Sequence, residues 1–75
     1  MRPIYQIAEE ILQDWKRPYF GAQPYINAML SLNHINDKYI NEDARSIVLY
    51  FLSNASTWRG ATARRVKKEL KRMLS

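Results

Sequence analysis

The chain has 75 residues, 47% of them apolar, no cysteine and a formal net charge of +5. That length allows one domain, residues 1–75, which buries only about 60% of the surface its unfolded chain exposes. The composition excludes a disordered tail, a disulfide scaffold and a thiolate metal site.

Pro3 suits the first turn of a helix, where its missing N–H costs nothing. Ile4, Ile7, Ala8, Ile11, Leu12 and Trp15 then recur at helical spacing, with Glu9, Glu10, Gln13 and Asp14 on the opposite side. Pro18 ends this first helix near Lys16 or Arg17. Tyr19, Phe20 and Gly21 make an apolar bend. Pro24 opens a second helix with Tyr25, Ala28, Met29 and Leu32 inward and Ile26 and Leu30 widening that face. Residues 33–37 break it, because Asn and Asp side chains compete for backbone hydrogen bonds. Ile35 and Tyr39 are expected to tuck inward from this connection.

Asn41 is expected to cap a third helix, with Glu42 and Asp43 in its first turn, where the dipole favours negative charge. Ala44, Ile47, Val48, Phe51, Leu52 and Ala55 repeat the apolar stripe, and Leu49 and Tyr50 lie off it. A helix apolar over so much of its circumference is expected to be central. Residues 47–52 are also rich in strand formers, but Ala44 and Ala55 in helical register and the lack of a partner strand favour helix. Residues 54–57 form a turn, and Ser56 or Thr57 caps a fourth helix running to about Leu74, with Gly60 near its start. The expected fold is all-α, a compact four-helix domain with a basic C-terminal helix.

Charge is distributed unevenly. Residues 1–58 hold five basic side chains against six acidic ones, whereas residues 59–75 hold seven basic ones against Glu69 alone. At about 100° per residue, with Arg64 at zero, Lys68, Arg72 and Arg65 fall at about 40°, 80° and 100°, and Lys71 and Lys67 at about 340° and 300°. Ala63, Val66, Leu70, Met73 and Leu74 fall between about 180° and 280°. Arg59, Arg64, Arg65, Lys67, Lys68, Lys71 and Arg72 therefore form a candidate phosphate-binding set, since each neutralised phosphate releases counterions. An acidic protein surface is the other partner such a side suits, and a merely solvated face is the bland reading.

The third and fourth helices have the spacing of a helix-turn-helix, although the turn lacks a glycine and the cations continue to the helix end, a pattern of backbone binding rather than base reading. Trp58 beside Arg59 suits stacking on a base. It equally suits packing under the start of the last helix, which the weight of aromatics in small cores favours. Tyr19 and Phe20, beside Lys16 and Arg17, form a candidate partner contact, and Trp15, Tyr25 and Phe51 are core candidates.

No catalytic set is read. His34 stands alone in a polar connection without a second ligand at metal spacing. Glu10 and Asp14 read as solvated surface charge, and two glycines cannot make a phosphate loop. No cofactor, metal or enzymatic activity is expected. The longest apolar run, residues 47–52, is far short of the ~20 residues that cross a bilayer. With no apolar core of a leader after Pro3, the expected location is the cytoplasm, without membrane contact. A core this small also gains from a second copy, so a homodimer is among the expected states.

Tyr19-Phe20-Gly21-Ala22, Pro24-Tyr25, the segment from Asn54 through Trp58 to Gly60, and the ending from Ala63 to Leu70 resemble small accessory proteins of bacterial phages, plasmids and integrated elements. The resemblance implies one of two roles, handling nucleic acid or binding a host protein to alter it, as anti-defence proteins do. The expected function is nucleic-acid binding through the basic helix, with DNA favoured over RNA. The alternative is an interaction module or inhibitor that docks on an acidic or nucleic-acid-binding host protein.

Overall fold

The computed structural model describes all 75 residues. There are four helices, α1 (Ile4–Asp14), α2 (Gln23–Met29), α3 (Ala44–Ser53) and α4 (Ala61–Leu74), and a small antiparallel hairpin, β1 (Lys38–Tyr39) and β2 (Glu42–Asp43), lies between α2 and α3. The domain is thus mostly helical, not purely all-α.

The hairpin replaces the expected cap of the third helix. Asp37 accepts hydrogen bonds from the backbone N–H groups of Asn33 and His34, both at 2.9 Å, and so shapes residues 33–37 into a turn. Lys38 then pairs with Asp43 and Tyr39 with Glu42 across a two-residue turn, in which Ile40 takes φ of 57°. A β-branched residue rarely adopts that left-handed conformation. With Asn41 in the turn, the N-cap of α3 is Asp43, whose carboxylate accepts from Ser46 N–H at 2.8 Å.

α1 begins at Ile4 without a side-chain cap. Its first free N–H groups are satisfied by the chain that follows α2: Ile4 donates to Asn33 O at 2.9 Å and Tyr5 to Leu32 O at 2.8 Å. α4 starts at Ala61, later than expected, because Gly60 is its N-cap at φ of 113°, a conformation open to glycine and costly for other residues. Seven residues, 54–60, therefore separate α3 from α4. A helix-turn-helix uses three or four, so that motif is absent.

α1 and α3 each neighbour both α2 and α4, closing the helices into a ring around one core. The core holds 20 buried residues, all apolar, with Phe51 the largest fully buried side chain. The apolar stripes account for it, with local departures. Leu12, Leu30, Leu49 and Tyr50 are exposed, and Tyr25, Leu52 and Leu74 are only partly covered. α3 is therefore one member of the ring rather than an enclosed central helix, but it is a helix throughout residues 47–52.

At one end of the ring Trp15, Phe51 and Trp58 form an aromatic cluster. The two indoles stack at 5.8 Å with an interplanar angle of 11°, and Phe51 meets both edge-on. Trp58 is 2% exposed, and its Nε1 donates to Asp14 Oδ2 at 2.8 Å. Trp58→Ala would leave a large cavity, at a cost of roughly 3–5 kcal/mol. A chain of this length holds about 4–11 kcal/mol in total, so urea unfolding of the variant should show between about a quarter and all of its stability gone.

Candidate functional site

α4 turns Ala63, Val66, Leu70 and Met73 into the core. The same register places Arg64, Arg65, Lys68, Lys71 and Arg72 in solvent. The expected basic side exists, but its members do different things.

Arg65 is occupied. Its guanidinium pairs with Glu10 of α1, and that contact lifts its pKa further above the ordinary arginine value. Glu10 also takes Arg2 Nη1 at 2.8 Å, and Arg2 reaches on to Glu69 through Nη2 at 2.6 Å and Nε at 3.1 Å. The four side chains join the N-terminal segment, α1 and α4. Within this network the Glu10 carboxyl is held below its ordinary pKa, first by the hydrogen bond from Arg65. Glu10 and Asp14, read from the sequence as solvated surface charge, thus both serve the contact between α1 and the α4 end of the chain. Asp14 does so through Trp58.

Lys67 is occupied as well. Its Nζ donates to Trp58 O at 2.7 Å and lies 5.9 Å from the centre of the Trp58 ring. Burial lowers its pKa, and the nearby charges of Lys71 and Arg59 push in the same direction. Lys67 therefore holds the 54–60 connection onto α4. Trp58 itself is a core residue, not a partner contact, because its ring is stacked under Trp15 and its N–H is taken by Asp14.

Five cations remain. Arg59, on the connection, and Arg64, Lys68, Lys71 and Arg72, on α4, are exposed and form no ion pair. Arg64, Lys68 and Arg72 follow one another four residues apart, about 6 Å per step along the axis, with Lys71 beside the row. Next to it lies a shallow depression of about 590 Å³, lined by Met1, Arg2, Arg65, Lys68, Glu69 and Arg72. At the far end Arg45 of α3 donates through Nη1 to Leu74 O at 3.1 Å, a cation placed where the helix dipole is negative. The ordering roles of Arg2, Glu69 and Arg45 were missed in the sequence. Glu69 carried a signal, as the single acid in a basic helix.

Tyr19 and Phe20 are 46% and 78% exposed and lean on each other at 4.8 Å. They lie in the connection between α1 and α2. His34 Nδ1 accepts from Asn36 N–H at 3.1 Å, inside a local turn. No three His, Cys, Asp or Glu side chains come together in a way that would hold a metal ion. No helix is long and apolar enough to cross a membrane.

Neighbouring cations with opposite duties allow a direct check. Lys67→Met should lower stability by about 1 kcal/mol, the ordinary worth of the lost hydrogen bond, and leave any polyanion affinity nearly intact. Lys68→Met should do the reverse. Thermal melts and heparin-column elution of the two variants, read side by side, measure both effects.

Comparison with protein-family models, with curated proteins and with solved structures finds no match to this chain.

Proposed function

We propose that this protein is a non-catalytic nucleic-acid-binding accessory protein, of the kind carried by mobile elements of bacteria, that grips phosphates through α4. One observation carries the proposal. Arg64, Lys68, Lys71 and Arg72 stand unpaired on one side of a helix whose other side is locked into the core. Elsewhere the protein pairs cations it needs for its own fold, as with Arg2 and Arg65. An unneutralised row repels itself, and an external polyanion relieves that repulsion.

Arg59 adds its charge from the connection before α4, whereas Arg2 is taken by Glu10 and Glu69. Arg65 and Lys67 stay with their internal partners and contribute only to the field. α4 is about 21 Å long, which matches roughly six base pairs of duplex. The free cations run along α4 to its C-terminal end, the pattern of backbone contacts rather than base reading, so binding is independent of sequence, and DNA is the working ligand.

A second reading has its own support. Phe20 and Tyr19, exposed beside Lys16 and Arg17, suit docking on an acidic host protein. Salt separates the two. With four phosphates engaged, log affinity for duplex should fall against log salt with a slope of about −3.6, and each of Lys68→Ala and Arg72→Ala should reduce the slope by about 0.9. Fluorescence anisotropy between about 50 and 200 mM salt measures this. A flat salt response, or unchanged binding when both residues are replaced by glutamate, would remove α4 from the interface.

A further inference from the structure

The proposed interface is as distinctive for the groups it lacks as for those it has. Proteins that hold single strands combine a basic track with exposed aromatic rings, because an unpaired base gains most of its affinity by stacking. Along α4 no such ring is offered. Trp58, the aromatic nearest the row in sequence, is 2% exposed, with its face on Trp15, its edge against Phe51 and its N–H on Asp14.

The exposed aromatics lie elsewhere. Tyr50 projects from α3 and leans on Tyr25 of α2 at 5.6 Å. Tyr19 and Phe20 sit in the connection between α1 and α2. Tyr5 is on α1, but α1 meets α4 through Glu10. On the helical wheel Tyr5 lies about 140° from Glu10, on the other flank. A strand lying along α4 would therefore touch cations and no ring.

The helix beneath the row is also rigid. α4 is one uninterrupted helix of 14 residues, held by buried side chains at four positions and by the ion pairs from Glu10 and Arg2. A straight helix axis carries these cations along a fixed line, from which their flexible stems reach a regular line of phosphates. A duplex supplies one, at twice the axial charge density of a single strand and with a steeper counterion return per contact. A flexible strand would have to be ordered on the helix, and no stacking would offset that loss.

We infer that the α4 row is built for double-stranded nucleic acid and discriminates against single strands. The inference rests on the nucleic-acid reading above and adds the form of the ligand. The protein docks on the outside of the duplex backbone and leaves the bases paired, so it coats or shields a duplex rather than opening one.

The test compares the intact protein on a fluorescent DNA duplex of about 20 base pairs, well over the footprint, with oligo(dT) of the same length. Two duplexes of unrelated sequence serve as a further pair. The expected result is binding to the duplex at least about sixfold tighter than to oligo(dT) at about 0.1 M salt, the difference between releasing ~0.9 and ~0.7 counterions at each of four phosphates. The two duplexes should agree within about twofold, as a contact made only to phosphates demands. Equal or tighter binding of oligo(dT) would overturn the duplex inference and leave nucleic-acid binding standing. Failure of both forms to bind at low salt would overturn the nucleic-acid reading itself, and this inference with it.

Discussion

The stack of Trp58 on Trp15 is the contact that the rest of this structure depends on. It joins the end of α1 to the connection before α4. All three polar atoms of Trp58 are also used, the backbone N–H by Ala55 O, Nε1 by Asp14 and the carbonyl oxygen by Lys67. Held in this way, the residue anchors the connection that leads through Gly60 into α4. A rotation by one residue, about 100°, would carry the next set of side chains toward the core. Several of those are arginine or lysine, and burying an unpaired cation costs far more than any repacking would return. The apolar face and the basic face of α4 thus fix each other's position.

The division of labour among the seven cations near the C-terminal end follows from that placement. Those at the margins of the exposed arc meet other parts of the chain and are consumed by them: Arg65 by Glu10, and Lys67 by the carbonyl of Trp58. Those at the middle of the arc have nothing to meet. Arg64, Lys68, Lys71 and Arg72 keep a concentrated positive field on one side of a molecule whose first 58 residues are close to neutral. That asymmetry, and not the overall charge of +5, is what favours a polyanion as partner.

Much of the fold was legible in the sequence. Helical spacing of Ile4, Ile7, Ala8 and Ile11, and of Ala44, Ile47, Val48 and Phe51, marked the buried faces, because the period of a helix leaves a direct trace in the apolar pattern. The hairpin left no such trace. Two-residue strands have no alternation to detect, and Ile40 at a left-handed position is a poor signal for a turn. The start of α4 was displaced because Ser56 and Thr57 have the chemistry of caps, while Gly60 acts through its backbone alone. The cationic side was legible as geometry, since it depends only on helical register. Which cations are free was not, because that is set by contacts between residues far apart in the chain, such as Glu10 with Arg65 and Arg2 with Glu69.

The central claim is that α4, itself fixed on the core, presents an outward row of free cations while Trp58 stays locked beneath its start. Nuclear magnetic resonance of the side-chain N–H groups during titration with a DNA duplex tests it most directly. The account predicts that the Arg64 and Arg72 guanidinium signals shift progressively, while the Trp58 indole N–H keeps its frequency and its protection from solvent exchange. Shifts centred on the Trp58 indole, with the Arg64 and Arg72 signals unmoved, would contradict it.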